Sequence, residues 1–157
     1  MKKTKKITQA AIIASLYVVL TFIANTLGLA SGAVQVRLSE ALTILPFFTP
    51  AAIPGLFIGC LISNILVGGV IWDIIFGSLA TLIGAVGTYF LRKFKWLSPI
   101  PPILSNTVIV PLVLIYAYGV PDALPYLMFT VGAGEVISAG FLGMILLKSL
   151  EKHKDIF

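Results

Sequence analysis

Long hydrophobic runs alternate with short polar, Pro-rich or Gly-rich stretches along the whole chain. A membrane-spanning helix needs about 20 mainly apolar residues, within a range of about 17–25. With Pro, Gly and charged residues taken as boundaries, the pattern predicts six helices. Their approximate ranges are 8–27, 39–48, 51–67, 73–91, 99–118 and 124–148. The predicted fold class is an all-α integral membrane protein, with one membrane domain over residues 1–157.

The second predicted helix is unusually short. Ten residues rise only about 15 Å in an α-helix, and the hydrocarbon core of a bilayer is about 30 Å thick. Merging this segment with the third would remove one crossing and place basic residues on both sides of the membrane. A short or tilted helix that ends in a tight turn at Thr49-Pro50 satisfies both constraints.

Composition supports a bilayer as the solvent. Hydrophobic residues make up 59% of the chain and charged residues 11%, with a mean hydropathy of +1.06. Soluble domains carry about 25% charged residues, and a soluble protein of this size could not bury so much apolar surface in one core. The basic start followed by an apolar run resembles a signal peptide, but the run is too long and lacks a cleavage site. We therefore interpret it as the first membrane helix.

Basic residues indicate the orientation. Ten of the eleven lie on one predicted face: Lys2, Lys3, Lys5, Lys6, Arg92, Lys93, Lys95, Lys148, Lys152 and Lys154. By the positive-inside rule this face is cytoplasmic, so both termini are predicted in the cytoplasm of a multi-pass protein of the cell membrane. Anionic lipid head groups account for the net positive charge, and no nucleic-acid partner is predicted.

Motifs of common enzymes are missing from the sequence. It contains no GxxxxGK[ST] loop, no HExxH, no GxSxG and no dicysteine pair, so neither ATP hydrolysis by a P-loop nor these hydrolytic or redox chemistries are expected. Cys60 is the single cysteine, which excludes an intramolecular disulfide. No enzyme activity, metal or cofactor is predicted for this chain.

Polar side chains inside the predicted helices are the candidates for binding. Glu135 lies about eleven residues into the sixth helix, roughly 16 Å from its outer end. Buried ionisable groups in membranes are costly and default to functional roles, although a protonated Glu bonded to a neighbouring helix is the alternative. Asn64 and Asn106 could bind a polar ligand or bridge helices.

Further candidates lie near the predicted outer face. The stretch "VQVRLSEAL" contains Gln35, Arg37 and Glu40, and Arg37 is the basic residue that departs from the positive-inside pattern. Ser39 is predicted to cap the second helix. Trp72 and Asp73 begin the fourth helix, where an interfacial aromatic and a helix cap are the alternatives to a binding role.

These stretches resemble one family over nearly the whole chain. "QVRLSEALTILPFFTPAAIPGLFIGCLISNI" (35–65) and "WDIIFGSLATLIGA" (72–85) are the specific blocks, and "SNTVIVPLVL" (105–114) and "GAGEVISAGFLG" (132–143) are consistent with them. They are similar to the queuosine-precursor transporter (QueT) family, substrate-binding S-components of energy-coupling-factor (ECF) transporters. The short second helix fits what such six-helix proteins show.

The resemblance implies a ligand of the 7-deazaguanine class, such as preQ1 or preQ0. Glu135 would accept hydrogen bonds from the guanine-like N–H edge, and Trp72 would provide a flat wall. Donors to the ring carbonyl would come from Gln35, Arg37, Asn64 or Asn106. A cationic aminomethyl group would favour Asp73 or Glu40, and the loop 28–38 would close over the ligand.

The resemblance also implies partners. A membrane coupling subunit and two cytosolic ATPases would use ATP, and small residues of the first helix, Ala10 and Ala14, would contact the coupling subunit. Two alternatives stay open. One is an S-component for another purine-like compound or a vitamin; the other, of a different class, is a small integral-membrane enzyme or a structural membrane subunit.

Overall fold

The computed structural model describes residues 2–30 and 34–156, and the side chains of residues 3–30 and 34–153. Within these residues the regular secondary structure is all helical, and there is no strand. Six α-helices form: α1 (Lys2–Thr26), α2 (Ala52–Leu66), α3 (Ile71–Phe90), α4 (Ile100–Tyr116), α5 (Leu124–Glu135) and α6 (Gly143–Leu150). A 3-10 helix (Leu38–Phe47) precedes α2, a π-helical segment (Val136–Leu142) joins α5 to α6, and a 3-10 helix (Glu151–Ile156) follows. The all-helical prediction is confirmed.

The short second helix lies where it was predicted, but it is a 3-10 helix. Pro46 lies near its end, and Leu42, Ile44 and Leu45 are buried. Ten residues of 3-10 helix span about 20 Å, less than the hydrocarbon core. It packs against α1, α3, α6 and the π-helical segment, so it runs through the middle of the bundle.

The last predicted helix is one continuous run with a π-helical interruption. α5 ends at Glu135, the π-helical segment follows at once, and α6 continues from Gly143. Such π segments insert one extra residue per turn and are frequent at functional sites. Here the interruption begins directly after Glu135.

Three helices are long and apolar enough to cross a membrane: Lys3–Thr26, Ile71–Phe90 and Leu124–His153. Leu38–Phe47, Ala52–Leu66 and Ile100–Tyr116 are apolar but shorter. Large hydrophobic side chains remain exposed along these helices, as expected for residues that face lipid. A membrane protein is supported. The six crossings and the cytoplasmic termini stay predictions.

Small residues allow the helices to approach one another closely. A Cβ on Gly55 would lie 2.7 Å from the carbonyl oxygen of Ala10, and one on Gly59 would lie 3.0 Å from the Cα of Ala14. These contacts bring α1 against α2. Tight packing of small residues is how membrane helices associate, because burial of apolar surface gives no driving force in lipid.

Candidate functional site

A buried polar cluster centres on Glu40. Tyr17 Oη donates a hydrogen bond to Glu40 Oε1, and Asn106 Nδ2 donates to Glu40 Oε2 at 3.2 Å. Glu40 is 1% exposed and Tyr17 2%. Both carboxylate oxygens therefore have partners, and Asn106 joins α4 to the 3-10 helix through this bond. Neither Glu40 nor Asn106 is among the residues that line the polar cavity described below.

Glu135 lies beside this cluster, but one of its carboxylate oxygens, Oε2, lacks a hydrogen-bond partner among the described residues. The residue is 4% exposed. Asn106 and Glu40 are its polar neighbours, and Arg37 is the positive charge in electrostatic range. A carboxylate oxygen without a donor is costly in a low-dielectric interior. Glu135 is thus the buried carboxyl group with capacity for a further donor.

A polar cavity of about 140 Å³ lies above this cluster, at the end of the bundle where α1 and α2 finish and α3 begins. Its polar lining residues are Tyr17, Thr21 and Asn25 from α1, Gln35, Arg37 and Ser39 around the start of the 3-10 helix, and Asn64 and Asp73 from α2 and α3. Four predicted residues, Gln35, Arg37, Asn64 and Asp73, are brought together here. In the predicted orientation this is the outer end of the protein.

Close backbone contacts hold the loop before the 3-10 helix against α5. A Cβ on Gly134 would lie 2.0 Å from the carbonyl oxygen of Gln35, so only glycine fits there. The backbone N–H of Arg37 donates to Ser138 Oγ in the π-helical segment at 3.0 Å. These contacts place the loop directly over the turn that carries Glu135. Arg37 lines the cavity, and its guanidinium makes no ion pair or hydrogen bond with the described residues.

Asp73 belongs to a second hydrogen-bonded group on the cavity wall. Tyr118 Oη donates to Asp73 Oδ2 at 2.8 Å, and Asn64 Nδ2 donates to the Asp73 carbonyl oxygen at 3.3 Å. Partial burial and the neighbouring Asp73 carboxylate raise the pKa of Tyr118 above its usual value, so its hydroxyl stays protonated and acts as the donor. The pair joins the start of α3 to the turn after α4.

Trp72 lies outside this polar cavity. It is 56% exposed and stacks on Phe76 with 6.1 Å between ring centroids. Both rings line a larger, open and mostly apolar groove between α3 and α4, of about 670 Å³. The geometry therefore favours the interfacial role of Trp72 over a wall against a polar ligand.

The predicted Ser39 cap is wrong, and Asp73 does not take the capping role that was the alternative to its binding role. Ser39 lies inside the 3-10 helix, whose N-cap is Arg37, and its Oγ accepts a hydrogen bond from Thr21 Oγ1 at 3.0 Å. Asp73 lies in the first turn of α3, whose N-cap is Val70. In both helices the chain turns earlier than the sequence indicated, so the polar side chain is free to bond across helices.

Four residues of this site, Tyr17, Thr21, Asn25 and Tyr118, were missed from the sequence. Tyr17 and Thr21 follow a four-residue spacing on α1, but they sit in a long apolar run that looked like lipid-facing helix. Tyr118 lies in the turn after α4, where an aromatic residue is typical of the membrane interface. The i, i+4 spacing of Tyr17 and Thr21, which places both on one helix face, was the available signal.

The residues predicted to contact a coupling subunit lie at the other end of α1. Ala10 and Ala14 border an open groove of about 580 Å³, together with Ala11, Pro50 and Pro54. Ala14 is 8% exposed because α2 covers it. Lys3 and Lys6 line the same groove.

As for metals, the described residues contain no group of three or more His, Cys, Asp or Glu side chains that could hold an ion.

Comparison with known proteins gives two findings. The family model described as "QueT transporter" matches residues 7–152 of the chain. The chain is also 39% identical over 99 residues to the queuosine precursor transporter QueT of Lactococcus lactis subsp. cremoris (strain MG1363), a match that covers 60% of this chain and 57% of the relative. The chain thus matches a little over half the length of that relative. No solved structure matches the chain.

Proposed function

Since the chain belongs to the QueT transporter family, we propose that it binds a queuosine precursor and takes part in its import. The ligand is a 7-deazaguanine such as preQ1 or preQ0. The chain acts as the substrate-binding S-component of an ECF importer, with its termini in the cytoplasm. Its chemistry is binding and release, with no covalent bond made or broken. The name of the 39% identical relative supports the ligand class.

The observation that carries the proposal is the buried Glu135 carboxylate, whose Oε2 has no partner. Leaving such an oxygen without a donor costs about 1–3 kcal/mol or more for a charged group. The N–H edge of a guanine-like ring presents adjacent donors that a carboxylate can accept together. Binding of this edge would supply the missing donor. It would thereby remove the free-energy cost that the unpaired oxygen carries in the ligand-free protein.

The other polar residues suit the remainder of such a ring. Arg37 and the amides of Gln35 and Asn64 line the cavity and can donate to the ring carbonyl. Tyr17 is the aromatic side chain among the lining residues, so its ring provides the flat wall that the family resemblance implied for Trp72.

The loop over Glu135 moves when the ligand enters. The cavity of about 140 Å³ is smaller than the roughly 300–1,000 Å³ of typical ligand pockets. The segment around Gln35 lines the cavity and also lies against the turn that carries Glu135, where it approaches Gly134 closely and the Arg37 N–H donates to Ser138 Oγ. Displacement of this segment by a few ångströms would join the cavity to the carboxylate.

Energy for transport comes from partner proteins. A membrane coupling subunit and two cytosolic ATPases use ATP, and this chain itself needs no cofactor. The groove beside Ala10 and Ala14 is the contact surface for the coupling subunit. Its small residues and its two prolines leave room for a partner helix, and Lys3 and Lys6 place it toward the basic end of the bundle.

Thermal unfolding of detergent-purified protein with preQ1, preQ0, guanine and a set of vitamins tests the proposal. A ligand at 100 times its dissociation constant should stabilise the protein by about 2.7 kcal/mol. We expect stabilisation by a deazaguanine, and at least a tenfold weaker affinity in Glu135→Gln. Glu151→Gln is the matched control, because Glu151 pairs with Lys95 far from the cavity. Stabilisation by a vitamin alone would assign another specificity, and stabilisation by none would contradict a binding role.

A further inference from the structure

The polar cavity carries charges of both signs that do not pair with each other. Arg37 and Asp73 both line it. The salt bridge found within the described residues joins Lys95 to Glu151, and none joins Arg37 to Asp73. Opposite charges in so small a space, with no direct bond between them, leave both available to one ligand. Such a ligand would present an acceptor to the guanidinium and a cation to the carboxylate.

Asp73 is the acidic side chain that can meet a ligand on the cavity wall. Glu40 is buried, and its two oxygens already accept from Tyr17 and Asn106. Glu135 is buried and is not among the lining residues. Asp73 lines the cavity, and its Oδ1 accepts no hydrogen bond from the described residues.

The Asp73 carboxylate is also fixed in position. Tyr118 Oη holds Oδ2 at 2.8 Å and is itself held by the backbone N–H of Val70 at 3.4 Å. Gly77 and Gly69 leave space for the carboxylate. A Cβ on Gly77 would lie 3.2 Å from Oδ1, and a Cβ on Gly69 would lie 3.4 Å from Oδ2. A carboxylate held in one place loses little conformational entropy when a ligand binds, which favours affinity.

We propose that Asp73, held by Tyr118, determines specificity by selecting a ligand with a cationic amine substituent. Charge-assisted hydrogen bonds are about twice as strong as neutral ones, so an alkylammonium group gains more here than a neutral nitrile. The inference rests on the proposed function and refines it. Among 7-deazaguanines it selects the 7-aminomethyl compound, preQ1, over the 7-cyano compound, preQ0.

Calorimetric titration of both compounds into the full chain in detergent tests this. Wild-type protein should bind the aminomethyl compound at least tenfold more tightly than the cyano compound. In Asp73→Asn the affinity for the aminomethyl compound should fall at least tenfold, and the affinity for the cyano compound should stay within threefold. Asp122→Asn removes the same charge from an exposed position outside the cavity and should keep the wild-type preference.

Tyr118→Phe provides a second variant if Asp73→Asn does not fold. It keeps the carboxylate but removes its donor, so a smaller loss, about threefold and confined to the aminomethyl compound, is expected. Equal binding of the two compounds by wild-type protein, or an equal loss of both in Asp73→Asn, would overturn the inference and leave the proposed function standing. If neither compound binds wild-type protein, the proposed function itself fails.

Discussion

Tyr17 shows, at the scale of single residues, what a hydroxyl contributes inside this bundle. It donates to Glu40 Oε1, and both residues are almost fully buried. In Tyr17→Phe the ring still packs, but the carboxylate oxygen loses its donor. An unsatisfied buried group costs about 1–3 kcal/mol, so we expect the free energy of unfolding to fall by about that amount in detergent. Tyr116→Phe is the control, because Tyr116 is 84% exposed and should change stability by less than about 0.5 kcal/mol. Equal stability of the two variants would contradict a stabilising role for the cluster.

The sequence singled out the charged side chains and most amides of the buried clusters and the cavity, but not the tyrosine hydroxyls that bond to them or the Thr21 hydroxyl that bonds to Ser39. Glu135, Asn64 and Asp73 stand out in an apolar chain because burial of such groups needs a reason. Tyr17 and Tyr118 do not stand out, since tyrosine is ordinary both in lipid-facing helices and at membrane interfaces. Glu40 and Asn106 were singled out, but the sequence could not show that they bond to each other across 66 positions.

Gly134 permits the close contact between α5 and the loop before the 3-10 helix. In Gly134→Ala a Cβ would lie 2.0 Å from the Gln35 carbonyl oxygen, so the loop must shift away. If Gln35 and Arg37 bind the ligand, we expect at least a tenfold loss of deazaguanine affinity and a lower unfolding temperature. Gly140→Ala is the matched control, because its Cβ would meet Ile103 Cδ1 at an ordinary 3.5 Å. Similar affinity and stability in the two variants would show that the loop does not depend on this approach.

Helix positions could be predicted closely from the sequence, and helix types could not. Apolar runs bounded by Pro, Gly and charge gave ends within about two residues for α2, α3 and α4. The pattern of apolar residues carries no sign of the π-helical segment after Glu135, because one extra residue per turn hardly alters a run that is hydrophobic on every side. The sequence of the short second helix is also largely apolar, so its pattern gave no indication of 3-10 geometry. Its Pro46 was visible, but proline near a helix end is compatible with either form.

At the scale of the whole molecule, the two ends of the bundle have different characters. The polar cavity lies where α1 and α2 finish, and the groove of small residues lies beside the start of α1 and the turn before α2. Between them, large apolar side chains face outward and small residues pack inward. The proposed ligand site and the proposed partner surface therefore lie at opposite ends of the bundle.

Ala11 offers the cleaner test of the groove as the partner surface. Ala14 lies against Gly59 of α2, so a large side chain there would disturb the bundle itself. Ala11 is exposed and lines the groove, so Ala11→Trp should fill the surface without changing the packing of α1 on α2. In cells that contain the coupling subunit and ATPases, we expect uptake of labelled precursor to fall at least tenfold, with binding in detergent unchanged within twofold. Ile12→Trp is the control, because Ile12 is 55% exposed on the same turn and lies outside the groove, so uptake should be retained. Normal uptake in Ala11→Trp would mean that the partner binds another face of the bundle.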